Sequence, residues 1–484
     1  MTARTLWKVS TPLIVIATLA LAVQGRARAA DQGRGVKRYS LDQLISLARK
    51  HYPGVEAARR AVGIMEAKLF QAKWAWLPQA TVKGFVAPST EIKCQDRDGN
   101  PDAACLYTNR NPTSNVSDIA WAGLYGRIDA EFGMPIYTFD KLSSARKAAT
   151  AGVAISRAQV LTTTDKLVQD VTRAYWGLKL AQEILYTIKE GMQHLDKAIT
   201  KVEGDLDEGK GEVTETDLLR LKVSKAEVES RVHEARMGEA LARATLQVLT
   251  GQRERRDFGV DHKVLELVDD GADASGKEGP GDAAPPARYI QLAQSHRPEV
   301  RLLDAAVEAR QAKVELEKAR FWPDLALVAM VGIARAMGVD DPQNAFLSDP
   351  FNYAGAGFGL ALQWKWDQVL QYGRYKEARA EALETQSRRK EALAGIALEV
   401  QKTTLELDEA RKRLESLKSG QRSARSWLVA TSQNLSMGTS EPKDLTDALV
   451  AFFSLKLRYL QAIYDVNVRR TELKRVLGTS PGAR

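Results

Sequence analysis

The sequence predicts a mainly α-helical, exported protein built from a duplicated helix–strand–strand–helix–helix unit whose few strands have membrane-barrel character. Three observations carry the prediction. Residues 44–78 and 289–323 echo each other at a constant offset of 245: Leu47/Leu292, His51/His296, Pro53/Pro298, Ala67/Ala312, Lys68/Lys313 and Pro78/Pro323. The segments 140–205 and 372–436 contain no proline and are rich in Ala, Leu, Glu, Lys and Arg. The segment 354–366 alternates, with Phe358, Leu360, Leu362, Trp364 and Trp366 on one face and Gly357, Gly359, Ala361, Gln363 and Lys365 on the other.

A duplication this long implies one structural unit built twice. Beyond the prolines the offset becomes 229 (Val171/Val400, Leu178/Leu407, Ala181/Ala410, Leu185/Leu414) and then 227 (Gly211/Gly438, Asp217/Asp444, Leu246/Leu473, Gly251/Gly478). The second copy thus loses 16 residues after Pro323 and 2 near the glycine. Loops absorb such changes, whereas rods packed side by side do not. The variable segments read as loops and the constant ones as packed helices.

The first 29 residues read as a signal peptide: Arg4 and Lys8, an apolar run from Thr11 to Val23, and an A-x-A site at Ala27-Arg28-Ala29. Past residue 30 no stretch of about 18 apolar residues occurs, so a membrane helix is not expected, while a β-barrel remains open. The first repeat spans 30–251, with strands at about 80–88 and 119–133 and an inter-helical turn near 206–216. A linker follows at 252–285, its 271–286 stretch rich in Gly, Pro, Ala and Asp. The second repeat spans 286–478, with strands at about 324–335 and 353–366 and a turn near 436–443; residues 479–484 form a tail.

Ser40 and Gln43 form a capping box for the first helix, and Pro53 should break it. Residues 140–205 and 372–436, if uninterrupted, form rods of roughly 100 Å at 1.5 Å per residue, which must pack laterally. In 122–132, Leu124, Ile128 and Phe132 oppose Arg127, Asp129 and Glu131. Alternation of this kind fits a lipid-facing barrel strand, and Trp364 and Trp366 suit an interfacial girdle. An ordinary half-buried soluble hairpin is the competing reading. Cys94 and Cys105, the two cysteines of the chain, read as a disulfide stapling the loop between the first two strands. A metal pair would want nearby histidines and C-x2–4-C spacing.

The net charge of +9 is spread over mixed-sign helices, without the basic stripe and interleaved aromatics of a nucleic-acid binder. G-x-S-x-G, P-loop and H-E-x-x-H motifs are absent, as is a Cys/His pair. No catalytic residue, metal site or cofactor is expected. His51 and His296 are repeat equivalents at a helix break and read as structural.

In its order of motifs the chain, from about Tyr39 to Gly478, resembles the outer-membrane efflux factor family, the TolC-like channels. The carriers are A-K-W-A-W-L-P at 72–78, Met134-Pro135-Ile136-Tyr137 as the exit from the second strand, G-x-x-x-x-x-D-x-L at 211–219 and 438–446, and Val-Leu-Gly at 476–478. The resemblance implies a homotrimer whose chains each give four strands to a twelve-stranded outer-membrane β-barrel continuous with a long periplasmic α-barrel. It implies a periplasmic adaptor (membrane fusion) protein, an inner-membrane pump of RND or ABC type and outer-membrane lipid as partners. The function implied is passive conduction in a tripartite efflux or type I secretion system of a Gram-negative bacterium.

The resemblance also places Gly211, Thr214, Asp217 and Gly438 at an adaptor-contacting periplasmic tip, and Asp444 and Asp447 at a pore constriction. The same two aspartates read equally as first-turn acids of the last helix. Glu441-Pro442 departs from the small hydroxyl residue usual there, and Ser440 from a latching basic residue. The alternative function is a soluble periplasmic coiled-coil scaffold or adaptor-like protein, which leaves the alternating strands unexplained.

Overall fold

The computed structural model of the chain describes residues 37–94, 121–209, 214–252, 258–261, 265–267, 286–341, 349–437, 439 and 442–479. The expected signal peptide, Cys105, Gly211 and Gly438 lie outside these residues. In chain order the first copy comprises β1 (Lys37–Tyr39), α1 (Leu41–His51), α2 (Pro53–Trp74), β2 (Gln79–Thr90), β3 (Trp121–Tyr137), α3 (Lys141–Asp207) and α4 (Glu215–Thr250). There follow β4 (Phe258–Val260), α5 (Pro286–His296), α6 (Pro298–Ala319), β5 (Asp324–Ala336), β6 (Tyr353–Gln363), α7 (Gln368–Ser436) and α8 (Pro442–Val476).

Proline punctuates both copies alike. Pro53 and Pro298 each occupy a first helical position, where the missing N–H costs nothing. The preceding helix therefore ends at His51 or at His296. Ser40 and Gln43 close the expected capping box on α1, the Ser40 N–H donating to Gln43 Oε1 at 3.1 Å. The proline-free rods keep their length between copies, 67 residues in α3 and 69 in α7, then 36 in α4 and 35 in α8.

Contacts divide the chain into two units that cut across the repeats. One comprises residues up to 59, 159–300 and 392 onward; the other comprises 60–158 and 301–391. Each repeat thus contributes to both.

The first unit holds the larger apolar core, in which Val171, Leu178, Leu246, Val400, Val466 and Val476 are fully buried. A parallel pair of short strands, β1 and β4, closes part of it, with Tyr39 stacked on Phe258 at 5.5 Å. This pair corrects the reading of 252–285 as linker throughout, since Phe258–Val260 is a buried strand. Three residues are too few to show a period, and the signal for β4 lies in its distant partner.

Two clusters of buried charge in this unit are paired. Asp261 accepts from the Tyr175 hydroxyl at 2.8 Å and lies 3.0 Å from the ammonium of buried Lys179. Glu399 sits between Arg297 (2.5 Å) and Arg475 (2.7 Å). Burial pushes the Glu399 carboxyl up, but hydrogen bonds from both arginines outweigh it and hold the group below the usual carboxylate range.

Repeat-equivalent glycines approach repeat-equivalent histidines. Gly251 and Gly478 have φ of 72° and 70° at the ends of α4 and α8. A Cβ on Gly251 would lie 3.0 Å from His51 Cβ, and one on Gly478 would lie 2.8 Å from the His296 carbonyl carbon. Both the left-handed backbone and the close approach call for glycine.

The second unit contains a four-stranded antiparallel sheet in the order β2-β3-β5-β6. Two boundaries differ from expectation. β3 runs on to Tyr137, so Met134-Pro135-Ile136-Tyr137 lies inside the strand and is not its exit. Pro135 is accommodated because the register against β5 shifts between Pro135 and Tyr137, a bulge that spares its missing donor. β6 stops at Gln363, so Trp364 and Trp366 follow the strand and are not part of it. There the Trp364 indole N–H donates to the Phe321 carbonyl at 3.1 Å, and the two tryptophan rings meet edge to face at 4.7 Å.

Candidate functional site

The cross-strand register turns a local alternation into two continuous faces. Successive strand residues point to opposite sides, and partners across a ladder share a side. Phe358, Leu360 and Leu362 of β6 pair with Ala329, Leu327 and Leu325 of β5. β5 hands the same face to Ile128, Ala130 and Phe132 of β3, which hand it to Gly84, Val82 and Ala80 of β2. From Ala80 to Leu362 this face carries only apolar residues and glycine until Arg335 near one end of β5. Its large side chains are exposed, Phe358 at 89% and Leu360 at 69%.

The opposite face is mixed. It carries Lys83, Arg127, Asp129, Glu131, Tyr353 and Gln363 among small residues, with Phe85, Val328 and Met330. Alternation was visible in 122–132 and 354–366. In LALVAMVGI (325–333) both faces are apolar, so the period is silent and the register alone sorts the residues.

One end of the sheet is marked by aromatics at every strand root. Trp74 and Trp76 precede β2, Tyr137 ends β3 with Phe139 just beyond it, Phe321 and Trp322 precede β5, and Trp364 and Trp366 follow β6. Phe139 stacks on Trp322 at 5.5 Å and meets Tyr137 at 4.7 Å. Phe139 and Asp140 take positive φ (45° and 67°) to turn the chain into α3, and Lys141 locks the turn to Asp324 at 2.8 Å. Such a belt of amphipathic rings matches a membrane–water boundary.

At the other end, the segment after β2 pairs with the segment after β5. The Ile92 N–H donates to the Gly338 carbonyl (2.8 Å), and the Asp340 N–H to the Ile92 carbonyl (3.0 Å). Cys94 is disulfide-bonded, and its N–H donates to Asp340 Oδ2 at 3.2 Å.

The other expected positions fall at the starts of α4 and α8, in the first unit. Thr214 caps α4, its hydroxyl donating to Asp217 Oδ2 at 2.6 Å and its N–H to the same oxygen at 3.2 Å. The Thr214 hydroxyl and backbone N–H, aided by Arg220 and Lys443, hold the Asp217 carboxyl below the usual range. At offset 227, Thr214 corresponds to Glu441 and Asp217 to Asp444, so the second copy replaces the hydroxyl cap by proline at the first position. Asp444 and Asp447 stand exposed near the start of α8, followed by buried Ala448 and Leu449.

Among the described residues no helix is long and apolar enough to cross a membrane, and no cluster of His, Cys, Asp and Glu is arranged for a metal. The membrane-compatible element is the sheet.

An antiparallel sheet with one apolar face, rooted in aromatics and continued by long paired helices, defines the fold of the outer-membrane channels. Residues 289–479, the greater part of the second repeat, match the family model for outer membrane efflux proteins. The whole chain has the TolC-like fold. It is similar to the outer-membrane channel OprN (16% identity, TM-score 0.70, covering 93% of this chain and 95% of that one). It is likewise similar to VceC from Vibrio cholerae (18%, 0.69, 91% and 96%) and to the open state of MtrE from Neisseria gonorrhoeae (14%, 0.69, 92% and 90%). No curated protein sequence matches the chain significantly.

Proposed function

We propose that this protein is the outer-membrane channel of a tripartite efflux or type I secretion system, acting as a passive conduit and not as an enzyme. The observation that carries the reading is the sheet face that is apolar from Ala80 to Leu362, with Arg335 only near one end, opposite a charged one. In water the first would be a liability; in lipid it is a requirement.

The sheet has two open edges, β2 and β6, and unpaired backbone groups are costly in hydrocarbon. Closing it needs further strands, and three copies supply twelve. Along α4, Leu219, Val223, Met237 and Leu241 are exposed at spacings that place them on one face, a stripe suited to a neighbouring copy. The helix turns near residues 206–216 and 436–443 then dock a periplasmic adaptor, with Gly211, Thr214, Asp217 and Gly438 at the contact. Asp444 and Asp447 of three chains ring the pore and favour cations. An RND or ABC pump of the inner membrane supplies the energy. A Cys94–Cys105 bond pins the outer loop.

The test is fractionation followed by reconstitution. The mature protein should pellet with outer membranes, require detergent, and give discrete conductance steps in planar bilayers. Recovery as a soluble monomer would instead support the periplasmic scaffold.

A further inference from the structure

We propose that Lys83, Arg127, Asp129, Glu131 and Tyr353 form a charge-compensated belt on the luminal face of the sheet, which keeps that part of the conduit polar without favouring either ion sign. The proposal rests on the channel reading.

The four-stranded sheet contains six charged residues, Lys83, Arg127, Asp129, Glu131, Asp324 and Arg335. Asp324 is engaged by Lys141 at a strand root, and Arg335 pairs with Asp341 at the far end (3.1 Å). The remaining four lie in the middle of β2 and β3, all on the mixed face. In a barrel this face is the lumen, because the other is apolar apart from Arg335 near its end.

These side chains form a triad, Arg127, Asp129 and Tyr353, beside a pair, Lys83 and Glu131. The Arg127 Nε–H donates to Asp129 Oδ2 at 2.6 Å, and Lys83 lies 3.5 Å from Glu131. The Tyr353 hydroxyl, two strands away on β6, donates to Asp129 Oδ1 at 3.3 Å. It reaches over β5 because the intervening residue is Gly332, where a Cβ would lie 3.1 Å from both Asp129 Oδ1 and the tyrosine ring. The Arg127 guanidinium lies 5.9 Å from the Tyr353 ring centroid. Asp129 is thus the acceptor shared by Arg127 and Tyr353. Beyond Tyr353 the same face of β6 is Gly355, Gly357, Gly359 and Ala361, a surface almost without side chains.

Two cations and two anions per chain sum to zero. Such a belt presents local dipoles to passing cargo and no net field, whereas an unpaired ring of one sign would exclude its own kind. Charge selection therefore falls to positions outside the sheet, and breaking one pair should create it here.

The experiment is the reversal potential of the reconstituted full-length channel under a potassium chloride gradient. Asp129→Asn and, independently, Glu131→Gln should raise the chloride-to-potassium permeability ratio by about threefold. Arg127→Gln should lower it by a similar factor, and Asp129→Asn/Arg127→Gln together should return it to the wild-type value. Unchanged ratios in all single variants, with wild-type conductance intact, would overturn the belt and leave the channel reading standing. A wild-type protein that never conducts would overturn both.

Discussion

Gly478 and Gly251 show most clearly what individual residues contribute. Both combine positive φ with a neighbour's chain end close to the missing Cβ, so alanine should strain each, by about 1–3 kcal/mol. Gly478→Ala should be the worse, because its Cβ would lie closer to its neighbours, 2.8 Å from the His296 carbonyl carbon and 2.9 Å from Arg297 N, against 3.0 Å from His51 Cβ for Gly251. Thermal denaturation of the two variants checks the order. Glu399→Gln should also destabilise, by about 1.5–3 kcal/mol, since it leaves Arg297 (4% exposed) with Glu299 alone, at 3.4 Å, and takes the carboxylate from Arg475. The pH dependence has a definite sign. The Glu399 and Asp217 carboxyls are both held below their ordinary range, so their stabilisation is present above about pH 4. It is lost as pH falls through the lowered folded values, and melting curves at descending pH should show the loss. Mutating Glu399 should remove part of it.

At the level of elements, the sheet is the decisive part. Leu360→Arg puts a charge on the face assigned to lipid and should destabilise folding into membranes by about 2–4 kcal/mol, whereas Gly359→Arg on the other face should be tolerated. Urea titration of folding into liposomes, read by gel mobility, separates the two. The strands at 122–132 and 354–366 were legible because large apolar residues alternate with charges or glycine. The helices were legible from proline spacing, as Pro53 and Pro298 fall at equal offsets and the long rods contain none. What could not be read was whatever depends on a distant partner. β4 is three residues long and defined by β1; β5 is apolar on both faces; and the ends of β3 and β6 were misplaced by a bulge and by two tryptophans that leave the strand. The expected site divided in the same way. The reach of Tyr353 over Gly332 to Asp129 joins residues 224 apart, and no local pattern could announce it.

At the scale of the molecule, the duplication acquires a physical purpose. Each copy supplies two strands of one sheet and one pair of long helices, and among the described residues both copies together still leave the sheet open at β2 and β6. An open sheet with a lipid-type face is not a finished structure. If the sheet is a piece of a membrane barrel, as proposed, four strands are too few to close it, so the folded membrane form and the oligomer should appear together. The measurement that tests this most directly is the native mass of the protein extracted from outer membranes in mild detergent. Three times the mass of one processed chain, retained on dilution, is the predicted result. A single chain mass, stable and soluble without detergent, would contradict the account.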